Sequence, residues 1–194
     1  MALTGSYDPT KFIIGPGKLF IGVTPPADGQ SLSTILVPGP DPSTGHLVGY
    51  TKSGTTYHSK ITQTGYEVDE VKSPVFINIT AEDISIDGTL VQLDDIEALK
   101  AMLPNYGFTT PDTFHVGGLA SLPTTSQPSV LVVGQNRANP VKRVAAMVYQ
   151  ALNTAEFIMA ITRANPSETA FTFAGQAIGT RTPPDQLGQV WFEQ

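Results

Sequence analysis

The chain has 194 residues, a formal charge of −6 and only 14% charged side chains. The usual charged share is about 25%, so Ser, Thr, Asn and Gln must cover much of the surface. Eighteen Gly and 16 Pro exclude an all-helical fold, and the absence of Cys excludes disulfides, thiolate metal sites and Cys nucleophiles.

One domain is expected, residues 18–194, preceded by an N-terminal arm over residues 1–17. The arm, beginning MALTGSYDPTKF, has no basic start followed by an apolar run, and no apolar window of about 18 residues follows, so neither a secretory signal nor a membrane span is expected. Residues 18–24 follow the turn signal Gly15-Pro16-Gly17 and predict a short strand. Residues 25–46, with five prolines among Gly and Ser, read as a long loop. A hairpin is predicted next, with arms at 46–52 and 55–61 about Ser53-Gly54. Strands at 66–71 and 75–87 come after it. In the second of these, Ile77, Ile79 and Ala81 share one parity and Ile84 and Ile86 the other, so one buried face requires a bulge near Glu82-Asp83.

Residues 94–103 predict the one helix. Asp94 caps it, Glu97 completes the capping box, Ile96, Leu99 and Leu103 form a stripe, and Pro104 stops it. A second long loop covers 104–128, and strands are expected at 130–133, 141–152, 157–162, 169–177 and 189–192. The sum is a mostly β (α+β) fold: two packed antiparallel sheets forming a barrel or sandwich, with one flanking helix and long loops. About nine strands leave edges, which a soluble monomer blunts with charge. This chain has few Lys for that purpose, which points to edges meant for copies of itself.

The charge is segregated. Residues 67–97 carry nine acids, among them Glu67, Asp69, Glu82 and Asp83, against Lys72 alone, so this block is −8 and the remainder +2. An acidic surface repels phosphate and disfavours specific nucleic-acid binding, though it suits a wall past which nucleic acid must slide. A solvated acidic face that aids solubility is the plainer alternative. The basic cluster Arg137, Lys142 and Arg143 reads either as a solvated strand edge or as a counter-charge for the acidic block of a neighbouring copy.

No GxSxG, HExxH, P-loop or GxGxxG pattern occurs, and His46, His58 and His115 stand in separate contexts, so no catalytic site, metal or cofactor is expected. Asn78-Ile79-Thr80 matches the glycosylation pattern, which has no bearing without secretion.

Gly15-Pro16-Gly17 before Lys18-Leu19-Phe20-Ile21-Gly22, then Gly49-Tyr50-Thr51-Lys52-Ser53-Gly54, the acidic strand Tyr66 to Val71 before Pro74, and Ile77 to Asp87 leading into the helix appear in an order that resembles the major tail tube proteins of long-tailed bacteriophages. The resemblance spans about residues 12–104. It implies two packed sheets with a flanking helix, similar to the tube protein of type VI secretion systems. It further implies homohexameric rings stacked into a tube through which viral DNA passes, with tape measure, terminator and distal tail proteins as partners. The setting is a virion assembled in a bacterial cytoplasm, without catalysis, cofactor or membrane. On this expectation Glu67, Asp69, Glu82 and Asp83 are candidates for the lumen wall, and Tyr50, Lys52, Tyr57, His58, Arg137, Lys142 and Arg143 for contacts between subunits or rings. The alternatives are a terminator or connector ring, a β-sandwich hydrolase using His115, and a carbohydrate-binding module. The last is disfavoured because Trp191 is the single Trp.

Overall fold

Turn chemistry in this sequence bends a strand as well as ending others. The computed structural model describes residues 11–14, 17–36, 41–68, 71–91, 106–110, 113–116, 127–136, 141–155 and 168–193. Its strands are β1 (Lys11–Ile14), β2 (Gly17–Ile21), β3 (His46–Val68), β4 (Val71–Leu90), β5 (Tyr106–Thr110), β6 (Thr113–Val116), β7 (Val130–Gln135), β8 (Arg143–Val148), β9 (Ala151–Asn153), β10 (Thr169–Gly175) and β11 (Gly188–Phe192), with a one-turn helix α1 (Ser33–Leu36). The helix expected at 94–103 and the strand expected at 157–162 lie outside the described residues.

The pairing order is β11-β8-β7-β2-β3-β4-β10-β9, every ladder antiparallel, with β1 on β3 beside β2. The long strand β3 belongs to two layers. Its first residues, His46 to Tyr50, pair with β2, and from Thr51 onward it pairs with β4. Ser53-Gly54, expected to turn a hairpin, instead makes a bulge: three residues between Thr51 and Thr55 oppose the single Thr89 of β4. Gly54 has φ 104° there, a conformation that costs a glycine little. The Thr51 hydroxyl accepts from the Gly17 N–H at 3.0 Å and fastens the start of β2 to the bend. Strands β11 and β9 stay unpaired to each other, so the sheet folds over as a sandwich and does not close into a barrel.

Between the layers sits the main core, built on Leu19, Ile21, Val48, Ile84, Ile86, Val130, Val132, Val148, Phe171 and Phe173. Phe171 and Phe173 stack with centroids 5.6 Å apart. A second core lies on the outer side of the β2-β7-β8-β11 layer, where Leu32 and Leu36 of the loop and α1 cover Phe20, Leu131, Met147 and Tyr149. That layer is buried on both faces, which is why β7 and β8 read as unbroken apolar runs instead of alternating. Burial of each large apolar side chain here contributes about 1.5–3 kcal/mol.

Three boundaries differ from expectation. The loop 25–46 contains α1 and anchors the second core; the N-terminal arm 1–17 contributes β1; and the loop 104–128 contains the β5–β6 ladder. The strand expected over 141–152 breaks at Tyr149-Gln150, where the chain crosses from β8 in one layer to β9 in the other.

Candidate assembly surface

Strands β3 and β4 run together well past the sandwich. The pairing of β1 with β3 stops at Lys11 opposite His58, and that of β10 with β4 stops at Ala174 opposite Ser85. Beyond those points the two strands pair with each other alone among the described residues, and residues 60–65 and 78–83 are all exposed. A two-stranded ribbon is marginal in water by itself, so twelve exposed residues of this kind suit contact with something outside the chain.

Register assigns the ribbon's faces. Tyr57 opposite Ile86, Ser59 opposite Ile84 and Ile61 opposite Glu82 share the face that enters the core; His58 opposite Ser85 and Lys60 opposite Asp83 share the other. Past Thr62–Ala81 the ladder shifts so that Gln63 faces Ile79, leaving Thr80 as the extra residue. The bulge expected near Glu82-Asp83 is therefore present at Thr80. It brings Ile79 onto the face of Ile61, Ile84 and Ile86.

The sequence-derived candidates scatter over this frame. Glu82 and Asp83, both exposed, point to opposite faces and cannot line one wall together. Glu67 falls on β3 near the hairpin end, its side chain outside the described residues, and Asp69 and Arg137 are outside them altogether. Tyr57 is corrected: it is 7% exposed and sits in the main core, and burial raises its hydroxyl above the usual tyrosine range. It offers nothing to a neighbour. His58 is half-buried, its Nε2 against the Asp87 carboxylate on the outer face. Lys52 is ion-paired with Glu168.

Tyr50 and Arg143, distant in sequence, come together. They line a cleft of about 590 Å³ with Lys18, Asp41, Thr51 and Gln135, at the end of the layer where β2, β7 and β8 meet β3. Lys18 donates to both carboxylate oxygens of Asp41 at 2.7 and 2.8 Å. Arg143 forks onto Glu193 at 2.9 and 3.1 Å, donates to the Leu36 carbonyl and lies 5.6 Å over the Trp191 ring. The fork, with the Arg143 N–H, holds Glu193 down at about 2. Lys142 adjoins it, half-buried.

Sequence reasoning missed the knot at the other side of the second core. Asp185 accepts from the Tyr149 hydroxyl, from Arg181 at 2.5 Å, from Gln189 at 2.9 Å and from the Gly29 N–H at 3.1 Å. Arg181 also lies 4.3 Å over the Tyr149 ring and donates to the Pro26 carbonyl at 2.9 Å. Desolvation alone would raise Asp185, but these donors outweigh it and hold the carboxyl at about 2. Burial first, then the bond to Asp185, raises Tyr149. The knot ties the loops around Asp28 and Pro184 together, and the second of these faces Ile79 to Glu82 across a cleft of about 330 Å³. No local motif announces four donors drawn from positions 29 to 189.

Among the described residues no three His, Asp or Glu side chains gather as metal ligands, and no helix is long and apolar enough to cross a membrane. The outer face of the other layer, built of β1, β3, β4, β10 and β9, carries His58, Lys60, Asp83 and Ser85 beside Thr172 in an open cleft of about 590 Å³. Strands β11 (Gly-Gln-Val-Trp-Phe) and β9 (Ala-Leu-Asn) are the two ends of the pairing order among the described residues, and neither contains a charge or a proline. No family model matches the chain, and no curated protein matches it either.

Proposed function

We propose that the chain is a structural subunit of a phage tail tube, six copies closing a ring and rings stacking into a conduit for DNA. The observation that carries this reading is the ribbon of β3 and β4 reaching past the sandwich with both faces exposed and, among the described residues, no further strand paired to it from residue 60 to 65 and 78 to 83. An isolated subunit gains nothing from ordering such a ribbon, whereas an assembly buries it.

The polar outer face of the β3-β4-β10 layer suits the lumen. Asp83 and Asp87 stand there with His58, Lys60 and Ser85, and carboxylates repel phosphate while releasing no counterions from it. Glu67 and Asp69 remain lumen candidates on charge alone. Glu82 belongs to the opposite face. Nothing is catalysed in this account, and no metal or cofactor takes part.

Negative-stain microscopy with light scattering across a concentration series tests it. Tubes of constant diameter are the expected result. Single rings that never stack would favour a terminator or connector, and a monomer at all concentrations would overturn both.

A further inference from the structure

Large hydrophobic side chains exposed among the described residues fall mainly into two groups. Ile61 and Ile79, 50% and 53% exposed, lie on one face of the ribbon. Tyr50, 49% exposed, Phe192 and Val141 lie around the end of the β2-β7-β8-β11 layer, where the register aligns Thr51, Gly17, Gly134, Val144 and Phe192 in neighbouring rows. Leu47 is a few residues back along β3.

The charges of the two groups are opposite. The described ribbon residues 60–65 and 78–83 carry Glu82 and Asp83 against Lys60. The layer end carries Lys18, Lys52, Lys142 and Arg143 against Asp41, Glu168 and Glu193. Lys18–Asp41 and Lys52–Glu168 are solvent-exposed pairs, which contribute about 0–1 kcal/mol and exchange partners at little cost. No ion pair joins the ribbon to this cleft within the chain among the described residues.

We propose that the core-side face of the ribbon of one copy, Ile61 and Ile79 with Glu82 beside them, docks on the cleft of a second copy, covering Tyr50 and bringing Glu82 to Lys18. The inference rests on the reading of the chain as a self-assembling tube subunit and names the two surfaces that join. The two patches differ, so the contact is heterologous and repeats from copy to copy instead of closing a twofold dimer. Strand alternation gives it a sharp consequence: Glu82 lies in the contact while its neighbour Asp83, on the far face, does not.

The test compares the concentration at which scattering rises for full-length wild type, Glu82→Lys, Asp83→Lys, and Glu82→Lys combined with Lys18→Glu. Glu82→Lys is expected to raise that concentration at least about tenfold, Asp83→Lys to leave it within about threefold, and the combined chain to recover. Because the chain has no Cys, Ile79→Cys with Tyr50→Cys also reports the contact directly. A short bis-maleimide should give an interchain ladder in assembled protein, and Asp83→Cys with Tyr50→Cys should not. Assembly of Glu82→Lys at the wild-type concentration, or assembled chains carrying Ile79→Cys and Tyr50→Cys that give no ladder, would overturn the docking while leaving the tube reading standing. A wild-type chain that never assembles would overturn both.

Discussion

Replacing Asp185 by Asn tests whether the knot of Tyr149, Arg181, Gln189 and Gly29 holds the second core together. Asn keeps the shape and removes the charge. Arg181 and Asp185 are each 11% exposed at the side chain, so the substitution leaves a largely desolvated guanidinium without its carboxylate. Breaking such a pair costs about 3–5 kcal/mol. At roughly 2–4 °C per kcal/mol for a chain of this size, the melting temperature should fall by about 10 °C at pH 7. The wild type adds a pH signature. Its folded carboxyl titrates at about 2 against a reference of 3.8, so the bonds to the ionised form stabilise the fold above pH 3.8 and are lost as pH falls toward 2. That difference amounts to about 2 kcal/mol. Thermal melts of both chains from pH 7 to pH 2 are the assay: wild type should lose this increment in acid, and Asp185→Asn should lack it. A variant that melts within about 2 °C of wild type at pH 7, or that keeps the same acid slope, would refute the reasoning. Because the loop of Asp185 also faces Ile79 to Glu82, the variant should assemble less readily than its stability alone explains.

Phe173→Ala, emptying a fully buried ring from between the layers, should cost about 3–5 kcal/mol in urea unfolding. Gly88→Ala places a Cβ 2.8 Å from Phe171 Cζ, and the repacking should cost about 1–3 kcal/mol by the same measurement. Thr55 has a buried hydroxyl with no hydrogen-bond partner among the described residues, so Thr55→Val should raise the unfolding midpoint by the equivalent of about 1 kcal/mol. A loss in place of that gain would mean the hydroxyl is satisfied in solution.

The β architecture was legible because strand signals are local. Alternation, turn residues and parity located β2, β10 and β11 to within a few residues. The parity switch in β4 also required the bulge that occurs at Thr80, two residues from where it was expected. Ser53-Gly54 misled because a glycine with positive φ serves a bulge as well as a turn, and only the length of the partner strand decides between them. Tyr57, expected at a contact between subunits or rings, stands among Thr, His, Ser and Lys, and nothing in its own segment marks it as buried. Its burial comes from β4 and β10, which lie outside its own segment. The cleft residues Tyr50 and Arg143 were each singled out, but their meeting depends on three ladders and could not be read from either stretch alone. The Asp185 knot was illegible for the same reason.

Native mass spectrometry of the smallest stable assembly tests the central claim most directly. With a chain of 20.6 kDa, the account requires a ring of about 124 kDa and integer multiples of it as concentration rises. A species that stays at 20.6 kDa from micromolar to millimolar concentration, or a closed dimer that grows no further, would contradict it.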